Sequence, residues 1–233
     1  MALGHGTSIV RNGLVFHLDA ANIKSYSGSG TQWKDLSTIG GTATAYNSPT
    51  FSNGAFNFDG ASDYFQISSR SDLNGGTFAY TNITVELMYR PTSTLSSDPT
   101  GNNLITVENA FEISVGNNGN GYSEIQYASA PWAWYGTSGS NCLTNSKWNL
   151  ITFVHATTGR WIYVTGVSVF YRCDSGNITA GSGTYPYLTL MGRYTGTTSP
   201  CEGDLSFVKL YNRALSSAEI KQNFEATRSR YGI

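Results

Sequence analysis

Asn82-Ile83-Thr84-Val85-Glu86-Leu87-Met88-Tyr89-Arg90 alternates without a break. Ile83, Val85, Leu87 and Tyr89 fall on one side of an extended chain, and Thr84, Glu86, Met88 and Arg90 on the other. A period of two marks a strand with one face in a core. Pro91 ends the run, because proline cannot donate to a central ladder. Outward from this stretch the pattern recurs. Strands are expected at 13–19, 56–59, 64–67, 103–108, 110–115, 123–127, 187–193 and 205–211. Residues 148–155 (WNLITFVH) are apolar on both faces, as in a strand near the middle of a sandwich, and 160–172 reads as a hairpin turning at Thr165-Gly166. Asp59-Gly60-Ala61-Ser62 is expected to join two short strands by a tight turn. Strands every ten or so residues with Gly- and Asn-rich turns indicate a sandwich or barrel.

One helix is expected, at 217–229. Ser216 and Glu219 form a capping box, Ile220 and Phe224 share one face, Arg228 and Arg230 suit the C-terminal dipole, and Gly232 stops the element. Residues 1–12, with Gly4, Gly6 and Ser8, read as a flexible arm, and 13–233 as one domain. Long loops are expected at 22–50 and 129–146, and loops of that length tend to be functional.

Composition narrows the function. The 233 residues carry 14 basic and 15 acidic side chains, a net charge of −1, and only 12 % are charged, about half the usual share. No basic stripe is present to displace counterions from a phosphate backbone, so nucleic acid is not an expected partner. No apolar run approaches the ~20 residues a spanning helix needs, and the N-terminus lacks a secretory pattern. Cys142, Cys173 and Cys201 are odd in number without C-x-x-C spacing, and read as reduced thiols. His5, His17 and His155 are scattered, and His17 and His155 sit in apolar strands, which suits satisfied core histidines.

The sharpest local feature is Pro131-Trp132-Ala133-Trp134-Tyr135-Gly136. Aromatic rings crowded into a short segment offer flat apolar faces to sugar C–H groups or to a protein partner. Trp132, Trp134 and Tyr135 are therefore the candidate ligand-binding residues; alternation would instead send Trp132 and Trp134 into a core.

Two strings carry a family resemblance. Phe58-Asp59-Gly60-Ala61-Ser62-Asp63-Tyr64 is similar to the F-D-G-x-x-D-Y of laminin-G-like, concanavalin-type jelly rolls. Val208-Lys209-Leu210-Tyr211-Asn212-Arg213-Ala214-Leu215-Ser216, followed by Ala218-Glu219-Ile220, resembles the closing string of that family. The resemblance implies an all-β, antiparallel β-sandwich of jelly-roll type with one C-terminal α-helix. Its ends, 8–20 and 222–233, resemble laminin-G-like structural proteins of tailed bacteriophages. That likeness implies a non-catalytic virion component, a capsid decoration, tail fibre or adhesin assembled in the host cytoplasm. Its partners would be other virion proteins and host-surface polysaccharide, with a homo-oligomer by analogy. The alternative is a free-standing carbohydrate-binding lectin.

The same family can place a calcium-ligating Asp just before the closing Tyr. Here Ser206 stands there, so no cofactor is expected, and Asp19 and Asp204 are the weak candidates for a calcium ion. Hydrolases of this fold carry E-x-D-x-E on one strand face, since only alternate residues point the same way. That run is missing: Glu108 and Glu112 straddle a turn, and Glu86 stands alone. A glycoside hydrolase or lyase is the least favoured reading, and no catalytic residue is assigned.

Overall fold

The computed structural model describes residues 7–74, 76–92, 102–117, 123–129, 133–137, 142–172, 178, 187–194 and 198–233. Two antiparallel eight-stranded sheets stack face to face. Sheet I contains β1 (Leu14–Asp19), β4 (Thr50–Ser52), β5 (Ala55–Asp59), β7 (Ile83–Arg90), β12 (Asn149–Ala156), β13 (Gly159–Val164), β14 (Val167–Arg172) and β16 (Glu202–Tyr211). Its order is β14-β13-β12-β7-β16-β5-β4, with β1 lying beside the C-terminal half of β16. Sheet II contains β2 (Gln32–Lys34), β3 (Thr42–Tyr46), β6 (Tyr64–Ile67), β8 (Asn103–Val107), β9 (Phe111–Asn117), β10 (Ser123–Ser129), β11 (Ala133–Gly136) and β15 (Leu188–Leu190). Its order is β11-β10-β9-β8-β15-β6-β3-β2.

The alternation of β7 is realised side by side. Ile83, Val85, Leu87 and Tyr89 enter the cluster between the sheets, with Val208 and Leu210 of β16, Phe65 and Ile67 of β6 and Ile113 and Val115 of β9. Trp33, Phe56 and Phe65 meet there at ring-centroid distances of 4.7–5.3 Å. The other side of β7 is buried as well, because helix α1 (Ser217–Tyr231) covers it. Met88 packs with Leu150, Phe207, Phe224 and Tyr231, while Ile220 joins Val10, Val154 and Tyr211. The capping box at Ser216 and Glu219 and the left-handed stop at Gly232 are as expected. The hairpin turn at Thr165 and Gly166 has φ of 51° and 81°, the mirror-image turn that suits the strand twist.

The turn at Asp59–Ser62 joins β5 and β6 as expected, and because β5 belongs to sheet I and β6 to sheet II it carries the chain from one sheet to the other. Asp59 Oδ1 holds that corner by accepting N–H bonds from Ala61, Ser62 and Asp63. The expected loop at 22–50 contains β2 and β3, and the one at 129–146 contains β11. Ser8 and Val10, expected within a flexible arm, are bonded to the fold. The N–H of Val10 donates to Asn223 Oδ1 at 2.8 Å, its carbonyl accepts from the Tyr211 hydroxyl at 3.1 Å, and Gln222 donates to the Ser8 carbonyl.

Candidate functional site

The two outer faces have opposite fates. On sheet I, Glu86 and Lys209 lie opposite each other on β7 and β16 and form a 3.1 Å ion pair, both side chains essentially inaccessible. Asn223 of the helix donates to both carboxylate oxygens of Glu86 and to the Tyr211 hydroxyl. A buried charge pair needs further partners, and here Asn223 meets the carboxylate while the Lys209 ammonium lies 4.3 Å from the Phe207 ring centroid. His17, opposite Lys209, is lowered to about 4 by burial and by that ammonium. These groups are consumed in sealing the helix to the sheet.

On sheet II, register defines one continuous outer row from β10 to β2: Ala128, Glu112, Thr106, Thr189, Gln66, Thr44 and Gln32. Directly opposed residues share a face, so the row is a polar band over an apolar underside. Its middle is roofed by residues 192–194. Gln66 donates to the Tyr194 carbonyl at 2.7 Å, Thr189 to the same carbonyl at 3.2 Å, and Thr106 to the Gly192 carbonyl. Arg193 forks onto both oxygens of Glu108 at 2.8 and 2.9 Å and reaches Glu112 at 3.5 Å. Burial raises the Glu112 carboxyl against the pull of Arg193, and Asn103 binds its oxygen at 2.9 Å. Both glutamates are buried and held by the same guanidinium.

The β2–β3–β6 end of the face is open. Tyr46 and Tyr64 are opposed on β3 and β6, and their rings stack at 4.7 Å with an interplanar angle of 3°. Tyr64 is 7 % exposed, whereas Tyr46 is 41 % exposed, so one ring supports the other. Burial and the neighbouring Tyr46 raise the Tyr64 hydroxyl. Beside them, Gln32 is exposed and Thr44 half-buried, with a 3.3 Å bond between their side chains. Gln32 and Lys34 also border a partly open recess of about 160 Å³, with Ile23, Lys24, Ser27, Ser29 and Thr31 among its other lining residues. The surface offers a flat aromatic plate, amide and hydroxyl groups, and a small polar recess. That set suits a sugar, whose rings carry apolar C–H faces and equatorial hydroxyls.

Of the aromatics singled out in sequence, Trp132 lies outside the described residues. Trp134 and Tyr135 are on β11, the edge strand of sheet II, opposite Ala128 and Tyr127. Each candidate carboxylate is engaged by an arginine: Asp19 accepts twice from Arg230 at 2.8 Å, and Asp204 accepts from Arg90 at 2.7 Å and from Asn57. Ser206 donates to the Gly54 carbonyl and meets the Tyr231 hydroxyl at 2.9 Å. Among the described residues no group of three or more His, Cys, Asp or Glu is arranged to hold a metal ion. His155 is buried in β12 and accepts from Arg160. Cys201 is a buried free thiol, and Cys173 lies outside the described residues. No helix among the described residues is long and apolar enough to cross a membrane.

Sequence reasoning missed Tyr46 and Tyr64 as a pair. The signal was Thr42-Ala43-Thr44-Ala45-Tyr46, which alternates between Gly41 and Asn47, yet it is too short to outweigh a loop reading.

An antiparallel sandwich with one helix-sealed face and one partly open polar face defines a lectin-like jelly roll. The chain belongs to the concanavalin A-like lectin/glucanase superfamily, whose laminin-G-type family model matches residues 58–221. No curated protein matches it in sequence. Among solved structures it is similar to domain 4 of AbnA, a GH43 extracellular arabinanase from Geobacillus stearothermophilus, in complex with arabinotriose. The identity is 16 % and the TM-score 0.65, covering 93 % of this chain and 100 % of that one. It is also similar to the binding domain of botulinum neurotoxin DC in complex with SialylT, at 12 % identity and TM-score 0.65, covering 93 % of this chain and 52 % of that one. Trypanosoma rangeli sialidase matches at 20 % identity and TM-score 0.61, over 97 % of this chain and 36 % of its own. The chain thus spans about half of the toxin domain and about a third of the sialidase. At these identities the likeness is one of fold.

Proposed function

We propose that the chain is a non-catalytic carbohydrate-binding domain, displayed on a bacteriophage particle as a decoration, fibre or adhesin. The observation that carries the binding reading is the Tyr46–Tyr64 stack, which holds a ring 41 % exposed at the open end of a polar sheet face. A preorganised plate binds without first ordering a side chain, which lowers the entropic cost of association. Membership of a lectin and glucanase superfamily supports it, as do the similar arabinanase domain held with arabinotriose and the toxin domain held with SialylT.

The non-catalytic part rests on how the acids of this face are used. Hydrolysis by paired carboxylates needs one group free to donate a proton and another to attack or activate water. Glu108 spends both oxygens on Arg193, and Glu112 is buried between Asn103 and the same guanidinium. The virion part rests on the likeness of residues 8–20 and 222–233 to phage structural proteins.

Two measurements test the proposal. On a glycan array the protein should bind at least one saccharide class, and Tyr46→Ala should lower that binding about tenfold without releasing reducing ends in either form. An array without hits overturns the binding reading, and accumulating reducing ends overturn the non-catalytic one. Mass spectrometry of purified particles should detect the chain, and its absence removes the virion role alone.

A further inference from the structure

The recess beside Tyr46 has a charge that the rest of the open face lacks. Lys24 and Lys34 both line it, with Ser27, Ser29, Thr31 and Gln32. The chain has only five lysines, so two in one small cavity is a concentration and not a background level. Both are exposed, and neither has an ion-pair partner among the described residues. No carboxylate lines the cavity. The nearest acid in sequence, Asp35, is otherwise engaged: its side chain is inaccessible and bound to Arg70 at 3.0 Å.

The walls are fixed before any ligand arrives. The N–H of Lys34 donates to the Ser25 carbonyl at 2.8 Å, and the Ser25 hydroxyl donates back to the Lys34 carbonyl. The Tyr26 hydroxyl ties down the Gly30 carbonyl at 3.0 Å, and the N–H of Ala45 binds the Thr31 carbonyl at 2.8 Å. Gly28 and Gly30 take φ of 96° and 88°, and a Cβ at either would meet nothing within 4 Å, so these turns are demanded by backbone shape and not by crowding. About 160 Å³ is the space of about five waters, which matches one sugar unit and not a chain. Register sets the recess next to the aromatic plate: Gln32 is opposite Thr44, and Tyr46 follows two residues on along the same face of β3.

We propose that this recess takes the anionic group of an acidic sugar, a carboxylate or a sulfate ester, held between Lys24 and Lys34 while the adjoining ring lies on Tyr46. The ligand class is therefore an acidic polysaccharide and not a neutral one. This rests on the carbohydrate reading above and narrows it. The two ammonium groups supply charge, and Ser27, Ser29, Thr31 and Gln32 supply the donors and acceptors that sugar hydroxyls require.

Affinity electrophoresis and titration calorimetry with three polymers decide the matter: polygalacturonate, a sulfated galactan and neutral arabinan. Wild type should bind at least one of the two anionic polymers at least tenfold more tightly than arabinan. Raising NaCl from 50 to 500 mM should weaken that binding, since exposed charges are screened over about 8 Å at physiological salt and less above it. The double variant K24Q/K34Q should lose about tenfold on the anionic polymer and change arabinan binding by less than twofold, with its melting temperature unmoved because both side chains are at the surface. Preference for polygalacturonate identifies a carboxylate, and preference for the galactan a sulfate; either supports the proposal. Arabinan bound as tightly as the acidic polymers, with K24Q/K34Q without effect, overturns the acidic specificity and leaves carbohydrate binding standing. Failure of all three polymers, together with an empty glycan array, overturns both.

Discussion

The outer faces of the two sheets begin from the same chemistry and end differently. Strand β7 presents Thr84, Glu86, Met88 and Arg90 outward, and β3 presents Thr42, Thr44 and Tyr46. On sheet I a helix arriving from more than a hundred residues away covers the middle of the face, and Val10 is stapled to the same seam. On sheet II the roof of residues 192–194 covers the centre and leaves the β2–β3 end open. An alternating strand thus announces two faces, but only distant elements decide whether the polar one becomes an interior or a surface. Where it becomes an interior, Glu86, Lys209 and Asn223 bind one another and the buried Thr152 hydroxyl opposite Glu86 is left without a hydrogen bond; where it stays a surface, side chains remain available to a ligand.

That contrast is tested first where it is sharpest. Glu86→Ala removes the carboxylate that serves Lys209 and Asn223 at once, leaving a buried ammonium unpaired. Breaking such a pair costs about 3–5 kcal/mol, read as a lower midpoint in urea unfolding. Glu86→Gln keeps an oxygen for Asn223 but not the charge, and should fall between the two. If E86A proves as mild as a surface substitution, the seal described for sheet I is wrong. Ile220→Ala comes next. It empties a nearly inaccessible site against Val10, Val154 and Tyr211 and should cost about 2–4 kcal/mol in the same assay.

The helix start is worth less and brings a pH signature. Ser216→Ala removes half the capping box, at about 1 kcal/mol. Glu219 is lowered to about 2, first by its bond to Arg213 and then by the Ser216 backbone N–H. Its folded-state value lies below the ordinary 4.5, so its contribution is complete above that pH and disappears as pH falls towards 2. His17 acts in a higher window. Lowered from 6.5 to about 4, it takes up its proton more readily in the unfolded chain, so stability declines as pH falls from 6.5 to 4. Thermal melts across pH 2–7 should show both slopes. H17N flattens the upper one and E219Q the lower one.

How much of this was legible depended on element length and on distance along the chain. Strand β7, the hairpin at Thr165-Gly166 and the capped helix declare themselves because each has enough residues for a period or a paired signal within a few positions. Strands β2 and β4, three residues each, are too short to show any period, so 22–50 reads as a loop although it carries the open edge of sheet II. The Asp-Gly corner at residue 59 was legible as a turn, but nothing local says that the chain leaves one sheet for the other there. The site was less legible still. The aromatic segment at 131–136 stands out because its rings are adjacent in sequence, whereas Tyr46 and Tyr64 become a pair only through the register of β3 on β6. Asn223 shows the same limit: a polar residue on a helix face gives no sign that its amide will bridge to Glu86, 137 positions earlier.

The smallest expected effect on folding accompanies the largest expected effect on binding. Tyr46→Ala removes a ring that is 41 % exposed and loses one stacked contact with Tyr64, a change of about 0.5–1 kcal/mol in stability. The same substitution removes the plate from the open face and should weaken saccharide binding about tenfold, equivalent to about 1.4 kcal/mol. Tyr64→Phe separates the two roles, since it keeps the supporting ring and drops only its hydroxyl. Binding retained in Y64F but lost in Y46A, with both variants melting near wild type, is the signature of a surface that packing supports without sealing. Equal losses of stability in Y46A and E86A would mean that Tyr46 belongs to an interior, and the distinction between the two faces would fail at the residue on which it most depends.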